Sequence, residues 1–583
     1  MFLSHLTSYA CTLLDLHFNS SAALVSDLII GISEDSSPKI HDLPNFNTQS
    51  SQLLQLASIH FNSGHFHRVP NILTHPSSDL ELLLKCQSYF LIGQKSVCST
   101  SVSLSSAESF ATKSNPMIDS IWDSLSEFYS IPFTFSSSDL ALLDNLPFFS
   151  IYFLSMCLIQ FSKLELATVC LLKCLSKFPF FFEGWELLHN CLTRENFATH
   201  FSNFKNSFDE SNIDCFMLMQ CHFFSHSLIS ISRHDGIFEY LNIFSSYFPT
   251  SPITLELQAR YHYVSRQFSK SRQLFEQLFD NFTHRYQGLE IYSNILYVSN
   301  DVSGLLSLSS RYSELDYHQY NWIFYIIKGN YLSLKEDHKS AVKMFLSAYQ
   351  SNPTSSIPLI LLGHELLELR NVEGALMVYQ AASSKSPRDF RPLYSIAQLF
   401  EITGLHQFAL QYYTNALEIN PYDSRIYSAL GLVFATIKDS SSAQKLFGKS
   451  LTLNPDDNVI KLHYASALVR CDDVSQAADF FWTCLKNDYN NELFDLIDDD
   501  IQGEILECAK EFKKSGKLVR AEFLANKLID LGGIISQEAL SFLSSFLSSM
   551  STLSESPLNS FSPNPRPSPI ANRKRLIRSP IQR

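Results

Sequence analysis

An all-α solenoid of paired helices is the fold this sequence predicts, and three observations predict it. Pro353, Pro387, Pro421 and Pro455 stand 34 residues apart. Small residues keep that step at Gly329, Gly363, Ala397, Gly431 and Ala465, and again at Ala341, Ala375, Ala409, Ala443 and Ala477. The aromatics Phe345, Tyr379, Tyr413, Phe447 and Phe481 keep it too. Five successive units in one register imply a single helix–turn–helix motif, each copy burying its apolar face on the next.

Each residue type has a physical reason. With Trp322 as position 1, the small residues fall at positions 8 and 20, where the two helices of a unit cross. A larger side chain there pushes the axes beyond the ~8–10 Å of close packing. The aromatic at position 24 shares a face of the second helix with a small residue at position 27, which is Ala348, then Ser450 and Cys484 in later units. Proline at position 32 closes that helix, and Tyr489 takes its place in the fifth unit. This is the tetratricopeptide pattern. The expectation is an all-α tetratricopeptide-repeat superhelix (α-solenoid) with a disordered C-terminal tail.

Along the chain, 1–32 reads as a helix pair, with Leu13, Leu14 and His17 on one helix and Ala22 to Ile29 on the next. The polar run 33–50 reads as a loop. Helix resumes at Gln52, with Ala57 as a position 8 and Gly64 in a turn. Leu82–Ile92 reads as a helix ended by Gly93, and the Ser-rich run 95–112 as flexible. A further helix covers 117–129. A marked repeat starts at Phe148, with Ala167, Leu171, Cys174 and Pro179 in register, and the next opens on Phe182 and Trp185. Another begins at Pro252 with Ala259, Ser271 and Phe275 in register. After the regular units an acidic break at 490–501 precedes a last pair carrying Ala509, Phe512 and Ala521, and the array ends near Met550. The expected domains are therefore 1–290, degenerate repeats that dimerise; 291–550, the regular superhelix with a peptide groove; and 551–583, a Ser-Pro and basic tail.

Composition narrows the function. Charged residues are 17% of the chain against 45% hydrophobic, so most of it packs. The six basic residues after Glu555 face no acid, which puts the body near −19 (the net −13 less the tail's +6). An acidic body argues against nonspecific nucleic-acid binding and suits basic peptides. The apolar start lacks a basic region and is broken by Asp15 and Asp27, so no membrane span is expected. Twelve cysteines without paired CxxC spacing read as buried free thiols. That suits a reducing compartment, nucleus and cytoplasm. No metalloprotease, phosphate-loop or nucleophile-elbow motif is present, so the expectation is a non-enzyme without metal or cofactor.

The binding role should lie on the first helices of the repeats, at positions 2, 5, 9 and 12. These positions, with Glu365 beside His364, give Asn330, His364, Glu365, Arg391, Tyr394, Gln398, Glu401 and Arg425 as groove residues. Arg391, Tyr394, Gln398 and Glu401 step by 3, 4 and 3 along one helix, a polar stripe suited to a basic peptide. In the tail, Ser556, Ser562, Ser568 and Ser579 each precede proline and are candidates for proline-directed phosphorylation.

Several non-consensus runs resemble one family. Ile291–Val298, Gly329–Leu334, Gly363-His364-Glu365, Arg388–Arg391 and Asn420–Arg425 are similar, in order, to segments of anaphase-promoting complex subunit 8. Gly184-Trp185 resembles a junction of its N-terminal half. The resemblance spans roughly 1–535, with Leu393 in place of the family Trp and Ala397 in place of a Gly. It implies a non-catalytic scaffold subunit of the anaphase-promoting complex ubiquitin ligase, acting in mitotic cell division. The implied partners are the other subunits of that complex, a second copy bound through the N-terminal repeats, and a WD40 coactivator whose basic C-box peptide enters the groove. The alternative is a stand-alone co-chaperone-like adaptor, which would need a Lys where Ile326 stands.

Overall fold

The computed structural model describes residues 2–32, 51–99, 115–131, 137–192, 194–207, 213–230, 237–283, 285–313, 321–353, 355–387, 389–455, 457–487, 497, 499–531 and 534–551. Among them are helices and turns and no strand. The chain forms two compact units, Met1–Ile323 and Phe324–Arg583. The division falls about one repeat beyond the boundary expected at 290.

Unit 1 begins with the hairpin α1 (Phe2–Asp15) and α2 (Asn19–Ile30), followed by α3 (Gln52–Asn62), α4 (Val69–Ile72), α5 (Asp79–Ser99) and α6 (Ile118–Tyr129). The pair α7 (Phe148–Gln160) and α8 (Leu164–Lys177) comes next, then α9 (Phe182–Cys191), α10 (Arg194–Ser207), α11 (Cys215–Ser230) and α12 (Ile237–Tyr247). α13 (Pro252–Val264), α14 (Phe268–Asn281), α15 (Leu289–Val298) and α16 (Val302–Ser313) complete it. One large apolar core draws on residues from Leu6 to Leu257, and a smaller cluster of Leu54, Ala57, Val69, Leu73 and Leu84 joins α3, α4 and α5. The N-terminal hairpin is built into it. Tyr9 meets Phe178 and Phe180 edge-on at 4.8 and 5.2 Å, and Phe18 meets Phe181 at 4.7 Å. Arg285, 4% exposed, pairs with Asp27 of α2 and, at 2.6 Å, with Glu256 of α13.

Three sequence expectations fail here. Gly93 does not end a helix: α5 runs on to Ser99, which also makes 95–99 helical rather than flexible. A Cβ on Gly93 would lie 1.6 Å from Asn115 Oδ1, and Asn115 donates to Phe90 O at 3.1 Å. The glycine makes room for a side chain. His17 lies past the end of α1 with φ 61°, and Leu14 is 53% exposed while Leu13 is buried. Cys11 is exposed, unlike most of the other thiols. The runs 33–50 and 100–112 and all four tail serines lie outside the described residues.

The division falls inside α17 (Asn321–Leu334). Unit 2 continues with α18 (His338–Ser351), α19 (Ile357–Glu368), α20 (Val372–Lys385), α21 (Phe390–Ile402), α22 (His406–Ile419), α23 (Ser424–Thr436) and α24 (Ser440–Leu453). It ends with α25 (Asn458–Arg470), α26 (Val474–Asn487), α27 (Asp499–Lys514), α28 (Leu518–Leu531) and α29 (Ile534–Ser551). The pairs α19/α20, α21/α22, α23/α24 and α25/α26 pack intimately, and the second helix of each rests on the first of the next. The core is a chain of successive clusters, each spanning neighbouring helices of the stack, the last running from α25 to α29.

The 34-residue period has a backbone cause at both turns. Within each pair Glu336, Arg370, Gly404, Lys438 and Asp472 take φ between 59° and 77°. That left-handed residue lets the next N–H reach back five residues, as when Leu405 N–H donates to Phe400 O at 2.8 Å. Between pairs, Asn352, Ser386, Asn420 and Asn454 precede the prolines with ψ of 84°, 78°, 89° and 86°. Proline forbids them the helical region, so the second helix stops there. Two residues past the proline, Asp389, Asp423 and Asp457 cap the next helix, accepting from the N–H groups of Arg391, Arg425 and Val459. Gly329, Gly363 and Gly431 each face the aromatic ring of their own second helix. A Cβ there would lie 2.5, 2.3 and 2.5 Å from Phe345, Tyr379 and Phe447.

Candidate functional site

The predicted stripe lies on α21, and the structure gives its four side chains different duties. Arg391 turns back on its own helix cap: Nε and Nη2 donate to the Asp389 carboxylate at 2.9 and 2.7 Å. Burial pushes the Asp389 carboxyl up, but the Arg391 guanidinium and the helix N–H outweigh it and hold it below the usual range. Arg425 repeats the arrangement on Asp423, with Nε–Oδ1 at 2.9 Å, and its guanidinium lies 5.8 Å from the Phe390 ring. The two arginines therefore present a neutralised pair each, with the outer edge of Arg391 still 39% exposed.

Tyr394 is buried and meets the Tyr413 ring edge-on at 5.2 Å. The Tyr413 hydroxyl donates to Glu401 Oε2 at 2.9 Å. Burial raises the pKa of the Glu401 carboxyl, while the Tyr413 hydrogen bond and the charge of Arg470 pull the other way. Gln398 and Glu401 are half-buried and keep solvent-facing surface. This half of the stripe can accept from a donor-rich ligand.

The residues from the earlier repeats are further inside. Asn330, His364 and Glu365 are 2%, 6% and 2% exposed. His364 Nδ1 shares a 2.7 Å hydrogen bond with the Tyr379 hydroxyl, and burial lowers its pKa to about 4, so it is neutral. Glu365 accepts from Ser333 Oγ at 2.7 Å and pairs with His338 Nδ1 at 2.9 Å. That hydrogen bond, with the Glu365 charge, raises the His338 pKa. Adjacent in sequence, His364 and Glu365 serve separate networks.

So the structure brings Tyr394, Tyr413 and Glu401 together, and leaves Arg391, Gln398, Glu401 and Arg425 reachable from solvent. Tyr413, Asp389, Asp423 and His338 were not on the predicted list. The Asp-x-Arg spacing recurring at 389/391 and 423/425 was the signal for two of them; the other two approach from second helices, which an inner-face reading omits. Among the described residues no group of histidine, cysteine or acidic side chains could hold a metal ion, and no helix is long and apolar enough to cross a membrane.

Parts of the chain are similar to known proteins. The family model described as anaphase promoting complex subunit 8 / Cdc23 matches residues 29–259. Anaphase-promoting complex subunit 8 of Arabidopsis thaliana is 23% identical over 316 residues, 54% of this chain and 50% of that protein. Subunit 8 of Dictyostelium discoideum is 26% identical over 233 residues, 39% of this chain and 36% of its own. Subunit 3 of Schizosaccharomyces pombe is 24% identical over 210 residues, 36% and 31% respectively. These matches span between 31% and 50% of the relatives' lengths. A crystal structure of the APC/C hetero-tetramer Cut9-Hcn1 aligns over 84% of this chain and 96% of its own at 14% identity, with a TM-score of 0.49.

Proposed function

The chain is a tetratricopeptide-repeat relative of anaphase-promoting complex subunit 8, and from that premise we propose that it is a non-catalytic scaffold subunit of this ubiquitin ligase. Unit 2 receives a basic peptide, the C-box segment of a WD40 coactivator, along the stripe of α21. The observation that supports this reading is the Glu401 side chain, partly exposed, with its carboxylate oriented by the Tyr413 hydroxyl at 2.9 Å and the Gln398 amide one turn away. A guanidinium of the peptide pairs with Glu401 and the amide takes a backbone group. Unit 1 carries a homodimer contact, the protein works with other subunits of the complex in nucleus and cytoplasm, and mitotic kinases phosphorylate the Ser-Pro sites of the tail.

Isothermal titration of the full chain with a C-box peptide tests the groove. Glu401→Ala with Gln398→Ala should weaken binding at least tenfold and leave the helical circular dichroism unchanged; unaltered affinity removes the site. Tyr394 is unsuited to this test, because truncating a buried aromatic costs ~3–5 kcal/mol on its own. A tagged pull-down lacking a cullin-like and a RING subunit would remove the scaffold assignment.

A further inference from the structure

Unit 1 holds a second candidate site, unrelated to the α21 stripe. α10 packs its aromatic face on α11, with Phe201 and Phe204 5.3 and 4.7 Å from the Phe224 ring. A cavity of about 280 Å³ is left between α8, α9, α10 and α11. Its walls include Leu172, Trp185 and Phe223, and His200, Asn203 and Gln220 contribute polar groups. Trp185 is fixed in place: its Nε1–H donates to Pro179 O at 2.7 Å and its ring lies 5.2 Å from Phe223. No charged side chain lines the space. Asn203 is exposed and His200 and Gln220 are part-exposed, so their polar groups face the opening of an otherwise apolar pocket.

We propose that this cavity is an anchor site for one aromatic side chain of an extended peptide segment from a partner protein, with Asn203 and Gln220 hydrogen-bonding the peptide backbone beside it. The volume lies just below the ~300–1,000 Å³ of small-molecule sites, which suits a single bulky side chain. The uncharged walls exclude an ionised anchor, whose desolvation nothing would offset. Trp185 and Phe223 offer a ring the edge-to-face contact that aromatic pairs prefer. Amide side chains at the opening of an apolar pocket match a peptide bond, which carries one donor and one acceptor.

Saturation-transfer NMR on the full chain tests this, with N-acetyl-phenylalaninamide, N-acetyl-alaninamide and toluene as probes. The phenylalanine amide should bind and the alanine amide should not. Leu172→Trp, which fills the cavity, should weaken the phenylalanine amide at least tenfold without lowering the melting temperature. Asn203→Ala with Gln220→Ala should weaken the phenylalanine amide three- to tenfold and leave toluene unchanged. Equal binding of the two amides, or binding that survives Leu172→Trp in a folded protein, overturns the proposal. Should Leu172→Trp fail to fold, the double alanine variant decides: equal loss for amide and toluene, or no loss for either, overturns it. None of these outcomes bears on the C-box site in unit 2.

Discussion

Glu365→Gln tests whether the buried contact between His338 and Glu365 holds the first repeats of unit 2 together. The carboxylate is 2% exposed and joins three helices: Ser333 of α17 donates to it at 2.7 Å, and His338 of α18 pairs with it at 2.9 Å from α19. An amide keeps the shape and can still accept from Ser333, so the change removes one hydrogen bond between charged partners. Such a bond contributes about 1.5–3 kcal/mol, and a neutral one about 1. The sign with pH follows from His338, whose folded pKa is raised above its ordinary 6.5 by Glu365. A raised histidine stabilises fully below its unfolded pKa and loses that contribution as pH rises through the folded one. The cost of Glu365→Gln should therefore be about 2 kcal/mol near pH 6 and about 1 or less at pH 9. Native-state hydrogen exchange read by mass spectrometry on α17–α19 is the assay, because a stacked array need not unfold in one step. About 2 kcal/mol is a roughly thirty-fold faster exchange relative to the parent chain at the same pH. The same rate ratio at both pH values, or one below threefold at pH 6, would refute the reasoning.

Two glycines in unit 2 should respond oppositely to the same change. Gly363→Ala drives a Cβ to 2.3 Å from the buried Tyr379 ring and should cost about 1–3 kcal/mol, whereas Gly448→Ala, with nothing within 4 Å inside α24, should stabilise by about 0.5–1 kcal/mol; urea titration of each variant gives the signs. Arg285→Met removes the buried cation that ties Asp27 to Glu256, although Glu256 keeps Arg260 at 2.7 Å, and should cost about 3 kcal/mol. Limited proteolysis should then cut the N-terminal hairpin first, and unchanged cleavage would count against the clamp. Tyr413→Phe removes the donor that favours ionised Glu401, so the carboxyl pKa rises further and affinity for a basic peptide should fall away at a higher pH than in the parent, read by calorimetry across pH 5–8.

The residues explain why the fold was legible while half of the site was not. The period could be read because each of its marks acts within a few residues: a proline forbids helix to the residue before it, an aspartate caps the helix two residues on, and a glycine admits a ring from its own pair mate. The stripe of α21 could be read for the same reason, since 3.6 residues per turn place 391, 394, 398 and 401 on one face whatever surrounds them. Exposure is a different quantity. Position 9 was taken as inner surface, yet His364 is 6% exposed because the Tyr379 ring from the second helix meets it, and Glu365 is 2% exposed beneath Ser333 and His338 of the preceding repeat. Gly93 misled in the same way, since the Asn115 side chain that needs its space lies outside the local pattern. Arg285 and Asp27, 258 residues apart, carry no local mark at all. Local rules thus set where helices start, stop and face, while neighbouring repeats set which faces remain open. A binding role argued from repeat positions alone should therefore be restricted to side chains the neighbouring repeats leave uncovered, here Gln398 and Glu401 before Asn330 and His364.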